Sequence, residues 1–328
     1  MVDRRAIILG AAAAALCECA PWSGASAQMG GKFARFVVGF AAGGTGDTIA
    51  RALGDAIRRL GGGSAPIVDN RPGATGRIAV QTLKGMAPDG MSFLMTPGWV
   101  LTLTPNTDKQ VLFDPFNDLV PVGAVSIQDY ALAVGPALPV NSIAEYVSWV
   151  KAHPGSGQFA SAGVGSLAAL IGAMLQRSSG LPLKSIPYKG SSQSLQDLRA
   201  GHVAANIGAL GDMVHMHHEG SARVLATCGT KRSKFLPDVA TFKEAGFADV
   251  NVVDWTGMFA PAGTPSKVIE HYTKLLALCC KDKEFVSVLE RLSLEPSYLS
   301  SVELAARMKS DYALMRELAG SFGMKNST

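Results

Sequence analysis

The chain has 328 residues, of which 48% are hydrophobic and 17% charged, with a formal net charge of +4. That length is too great for one comfortable core and suits two lobes. The small basic surplus, with no long run of Lys or Arg, sets nucleic acid aside as a partner and favours anionic ligands only weakly and at low salt.

Arg4 and Arg5 form a positive start, residues 6–16 are apolar, and Ala25-Ser26-Ala27 is a small-residue cleavage site. Together they read as a secretory signal, residues 1–27, removed after Ala27. The apolar run is about eleven residues, below the roughly twenty that span a bilayer, so no retained anchor is expected. A twin-arginine signal fits less well because Asp3 and Ala6 flank the pair, and lipidation at Cys17 or Cys19 is opposed by Leu16 and Glu18. The later cysteines, Cys228, Cys279 and Cys280, read as buried thiols, and no Cys or His spacing matches a zinc site.

Residues 35–40 read as a buried strand, 41–46 as a glycine-rich turn, and 47–60 as a helix with Ile49, Leu53, Ile57 and Leu60 on one face. A strand at 66–69, broken by Asn70-Arg71-Pro72-Gly73, precedes a helix near 78–84 and a strand at 92–95. This alternation implies a parallel sheet with helices on both faces. The rhythm restarts with helix 142–152, strand 158–162, helix 167–177, strand 185–188 and helix 191–200. Strands at 203–207 and 223–227 complete a second, small parallel sheet, and helices near 265–278 and 302–319 close the chain. No flexible linker separates the halves, so strand crossovers near 122–134 and 250–259 are the expected hinges.

Phe40-Ala41-Ala42-Gly43-Gly44-Thr45-Gly46-Asp47 joins a strand to a helix. The first amides of a helix have no internal partner, and its dipole adds positive character there, so such a turn can hold an anion without a basic side chain. It can equally be a tight turn in which Thr45 or Asp47 caps the helix. Ser161-Ala162-Gly163-Val164-Gly165-Ser166 repeats the arrangement, and Pro187-Tyr188-Lys189-Gly190-Ser191-Ser192 does so more weakly. All three fall at the carboxyl ends of strands, where open α/β sheets bind ligands, and they lie in two different lobes. Opposed turns would grip a carboxylate from both sides.

A dinucleotide site is the strongest rival, with Gly44-Thr45-Gly46 as its turn and Asp69 near the place of a ribose-binding acid. Ile49 stands where a third glycine belongs, and an exported chain has no ready nicotinamide pool. No G-x-S-x-G elbow or H-E-x-x-H pair supports a hydrolase. His215, His217, His218 and Glu219 read as a solvated helix end before Gly220 rather than a metal site, and Trp99, Tyr130 and Trp255 as core, hinge or cleft-wall residues.

The first turn belongs to a longer set of strings in order along the chain. They include Asp69-Asn70-Arg71-Pro72-Gly73-Ala74, Ala87-Pro88-Asp89-Gly90, Pro187-Tyr188-Lys189-Gly190, Leu236-Pro237-Asp238-Val239, Glu244-Ala245-Gly246-Phe247 and the segment from Gly257 to Pro265. The set resembles the Bug family, the solute receptors of tripartite tricarboxylate transporters. The resemblance implies a two-lobed α/β periplasmic-binding-protein fold of the Venus-flytrap kind (type II), each lobe a mostly parallel sheet flanked by helices. It implies one lobe from residues 28–128 and 252–328 and the other from 129–251. The protein would then be a periplasmic monomer without cofactor, metal or catalytic residues. Its ligand would be a small carboxylate, and its partner the membrane subunits of a transporter or a signalling receptor. An exported oxidoreductase is the alternative.

Carried over by residue, the binding positions are Phe40, Ala42, Gly43, Gly44, Thr45 and Asp47 in the first turn and Ser161, Gly163, Gly165 and Ser166 in the second. Thr96, Pro97, Tyr188 and Gly208 complete the set. Many family members carry an aspartate in the segment where Asn206-Ile207-Gly208-Ala209 stands, and Arg77 replaces a small or amide residue. Loss of that cleft acid would weaken recognition of an ammonium group, so a non-amino acid, aromatic or dicarboxylic, is the expected ligand.

Overall fold

The computed structural model describes residues 33–61, 63–108, 110–188 and 190–324, and the expected signal segment lies outside the described residues. Strand β1 (Arg35–Val38) is short and apolar, with Phe36, Val37 and Val38 fully buried. The glycine turn then opens α1 (Thr45–Gly61), whose Ile49, Ala50, Leu53, Ala56 and Ile57 recur at helical spacing and form its buried face. After β2 (Ile67–Asn70), α2 (Arg77–Lys84) and β3 (Ser92–Pro97), β1 lies between β2 and β3, parallel to both.

Two single-turn helices, α3 (Trp99–Thr102) and α4 (Thr104–Thr107), lead into β4 (Leu119–Gln128). Only Asp129 separates β4 from β5 (Tyr130–Val134), yet the two strands belong to different sheets. The second sheet is then built through α5 (Ile143–Ala152), β6 (Gln158–Ser161), α6 (Leu167–Ser179), β7 (Lys184–Pro187) and α7 (Ser191–Ala200). It is completed by β8 (Ala205–Ala209), α8 (Gly211–His218) and β9 (Arg223–Thr227), in the order β7-β6-β8-β5-β9. The chain returns through β10 (Asp254–Pro261), which inserts between β3 and β4. Helices α9 (Ser266–Cys279) and α10 (Lys283–Arg291), edge strand β11 (Glu295–Ser300) and α11 (Ser301–Ser321) complete the six-stranded sheet and its cover. Ser300 and Glu303 close a capping box that fixes the start of the last helix.

The sheets are mixed rather than parallel. β10 runs antiparallel to β3 and β4, and β5 antiparallel to β8 and β9. The cause is the crossover itself, because a strand arriving from the other lobe enters from the opposite end. Both crossovers carry an aspartate. Burial pushes the carboxyls of Asp129 and Asp254 up to about 7, against the lowering effect of backbone N–H groups that bond each one.

Candidate ligand-binding cleft

In the first turn the chain bends at Gly43, whose φ of 79° favours glycine, and Gly44 N–H bonds Ala41 O at 3.2 Å. Asp47 is 3% exposed and points back into the turn, where it accepts Gly43 N–H at 2.9 Å and Arg51 Nε at 3.0 Å. Burial pushes this carboxyl up, but Arg51, the Gly43 amide and Asn70 outweigh it and hold Asp47 below the ordinary aspartate range. Asp47 is therefore a fastener of the turn. Asp47 and the Gly43 amide, both expected at the ligand, engage each other here. The helix ladder starts with Thr48 N–H on Gly44 O, so the amides of Thr45, Gly46 and Asp47 precede it and can meet an anion. Ala42, Gly43 and Gly44 are exposed, while Phe40 is half-buried with its ring 6.4 Å from that of Trp99.

The second turn has the same build. Ser161 is fully buried with its hydroxyl 2.8 Å from that of Ser185, and Ser166, also buried, caps α6 by accepting Ala169 N–H at 3.3 Å. These hydroxyls hold the turn together, and the surface toward the other lobe is made by the glycines. A Cβ on Gly165 would stand 3.0 Å from Thr107 Oγ1, and one on Gly163 would stand 3.9 Å from Thr75. A cavity of about 20 Å³ lies between Thr75, Thr104, Thr107 and Asp108 on one side and Val164 and Gly165 on the other. It has room for about one water. Thr75 and its neighbour Ala74 hold φ of 57° and 46°, the left-handed region that side chains avoid, and this strained corner faces the second turn.

The remaining expected positions divide. Thr96 is buried and donates to Pro97 O at 3.3 Å, with Pro97 half-buried beside it. The Tyr188 hydroxyl donates to Asp197 at 2.8 Å, which fastens the third turn to α7. Gly208 is half-buried and a Cβ there would stand 3.0 Å from Asn206 Oδ1. The acid expected to be missing at this edge is supplied one turn later: Asp212 Oδ1 accepts the Thr45 hydroxyl of the opposite lobe at 3.5 Å. Asp212, Thr75, Thr104, Thr107 and Asp108 are residues of the cleft that the sequence did not single out.

The Tripartite tricarboxylate transporter family receptor model matches residues 49–318. The chain belongs to this receptor family. The "UPF0065 protein in gbd 5'region" of Cupriavidus necator is 32% identical over 273 residues, 83% of this chain and 81% of that protein. The solved periplasmic binding protein BugD is similar at a TM-score of 0.82 and 30% identity, covering 89% of this chain and 98% of its own. An R. palustris protein solved with adipate is similar at a TM-score of 0.83 and 26% identity, covering 89% of this chain and 97% of its own.

In this family receptor the rival readings lose their residues. Asp69 is engaged by Arg35 at 3.0 Å and Arg71 at 2.9 Å, so the acid assigned to a ribose is occupied by ion pairs. Arg77 pairs with Asp108 and donates to Ala74 O, both side chains being largely buried, so it braces the strained corner rather than offering a free cation. His217 Nδ1 accepts Val224 N–H at 3.0 Å and His215 pairs with Glu219 at 2.9 Å; no metal-holding group of three occurs among the described residues. Cys228, Cys279 and Cys280 are free thiols, and burial pushes the last two up to about 12. Trp99, Tyr130 and Trp255 are all buried, with Trp255 Nε1 donating to Asp311 at 2.8 Å.

Proposed function

We propose that the protein is a periplasmic receptor that captures a small organic carboxylate between its lobes, without turnover or cofactor, and delivers it to the membrane subunits of a tripartite transporter. In this reading residues 1–27 are the removed signal. Residues 28–128 with 252–328 form one lobe of a monomer, and 129–251 form the other. The observation that carries the reading is that strand-end turns from two sheets meet, the Thr45 hydroxyl at the start of α1 bonding Asp212 across the contact and the α1 amides ahead of Thr48 standing outside the helix ladder. Three or four hydrogen bonds to a carboxylate, each worth about 1.5–3 kcal/mol net, reach the range of micromolar binding before ordering costs are subtracted. The adipate in a structural neighbour supports this ligand class.

The test is a thermal-shift screen of aliphatic diacids, their half-amides and aromatic acids, followed by calorimetry. A true ligand at a hundred times its Kd stabilises the folded state by about 2.7 kcal/mol, which raises the Tm by several degrees. A screen in which no acid shifts the Tm, and NAD does, would return the oxidoreductase reading.

A further inference from the structure

The cleft holds an acid that has no basic partner among the described residues. Asp212 is the second residue of α8 and is half-buried. Its Oδ1 takes the Thr45 hydroxyl across the lobe contact at 3.5 Å, and the Ser191 hydroxyl bonds the same carboxyl. No Lys, Arg or His pairs with it among the described residues, although most acids near it along the chain, Asp197 and Glu219 included, have one. Three helices begin around this group, α1 at Thr45, α7 at Ser191 and α8 at Gly211, and the Thr45 and Ser191 hydroxyls bond it. Burial pushes the carboxyl above the ordinary aspartate range, and the two hydroxyls offset part of that rise. Its charge also reaches the crossover, where Asp254 and Asp212, after burial, push the Tyr130 hydroxyl up.

An ionised carboxylate only accepts hydrogen bonds. At the lobe contact it welcomes a donor and repels a second anion, and that repulsion grows as closing lobes exclude water. We propose that Asp212 is a specificity-determining residue of this cleft: facing Thr45 with no cationic partner among the described residues, it accepts a hydroxyl, amide or ammonium hydrogen from the ligand's far end and turns away a second carboxylate there. This rests on the capture reading above, in which the turn amides hold the first carboxylate. It replaces the expectation of a dicarboxylic ligand with a monocarboxylate whose other end donates.

The experiment is calorimetric titration of succinate, glutarate and adipate, each against its half-amide, into wild-type protein, Asp212→Asn and Asp212→Ser. Asparagine keeps the shape without the charge, and serine is well tolerated at a helix start, so one serves if the other misfolds. In the wild type each half-amide that binds is expected to be tighter than its diacid by roughly tenfold, about 1.4 kcal/mol. Both variants are expected to shrink that ratio to near one or invert it. A wild type that prefers the diacid, or a ratio unchanged in the variants, overturns the role of Asp212 alone. A wild type that binds none of these probes and none of the aromatic acids overturns carboxylate capture itself, and the role of Asp212 falls with it.

Discussion

Gly165 separates the geometry of the turn from the closure of the cleft in one substitution. Gly165→Ala places a Cβ at φ 69°, a conformation that costs an L side chain about 1–2 kcal/mol. That strain exists whether the lobes are open or shut, so it lowers stability by an expected ~2–4 °C in Tm per kcal/mol and leaves ligand affinity untouched. The same Cβ also stands 3.0 Å from Thr107 Oγ1 and 3.5 Å from its Cβ, across the cleft. Thr107 cannot turn aside freely, because its hydroxyl bonds Leu103 O and Thr104 O, each at 3.4 Å. Yielding sacrifices about one hydrogen bond, roughly 1 kcal/mol, and only in the closed form, so affinity is expected to fall about five- to tenfold. Gly180→Ala is the control, since Gly180 also has φ 69° but nothing within 4 Å of its added Cβ. Melting curves and calorimetry with the best-stabilising acid should show both variants losing similar Tm and only Gly165→Ala losing affinity. Equal affinity in the two variants would refute the idea that binding closes these turns on each other.

Three further outcomes follow from the local chemistry. Asp254 titrates at about 7 when folded and near 3.9 when unfolded, so the folded chain holds an extra proton between these values. The stability it carries is full below about pH 4 and is lost as pH rises through 7, so Asp254→Asn should flatten part of the Tm decline between pH 4 and 7. An unchanged wild-type-minus-variant difference across that window would contradict the assignment. Asp47→Ala removes the acceptor of Gly43 N–H and of Arg51, and urea unfolding should show a loss of about 1.5–3 kcal/mol, with Arg51→Ala losing less. NAD should leave the tryptophan fluorescence of the protein unchanged, because Arg35 and Arg71 already engage Asp69.

Where local pattern and tertiary role coincide, the fold could be read from residues alone. The helical spacing of Ile49, Leu53 and Ile57 and the apolar run Phe36-Val37-Val38 needed no partner to be recognised. β4 was harder, for Pro121 argues against a central strand; it is accommodated where the pairing with β10 shifts register between Met258 and Phe259. β11 carries Pro296 and was hidden for the same reason, the ladder being irregular between Pro296 and Leu299 at the sheet edge. Strand direction was out of reach, since β5 and β10 owe theirs to crossing between sheets rather than to any property of their residues.

The site divides along the same line. Each glycine turn announces itself by lying between a strand and a helix, but which of its groups remain free is decided by bonds four residues or a whole lobe away. Asp47 is one helical turn beyond Gly43 and engages the amide that looked available. Asp212 is 167 residues from Thr45, and no spacing rule connects them. The consequence reaches specificity. Backbone amides at a helix start accept any carboxylate alike, so the amides that the sequence reveals can define only the ligand class. Discrimination among carboxylates must come from side chains brought in by folding, and at the contact between these lobes the side chain brought in is an acid.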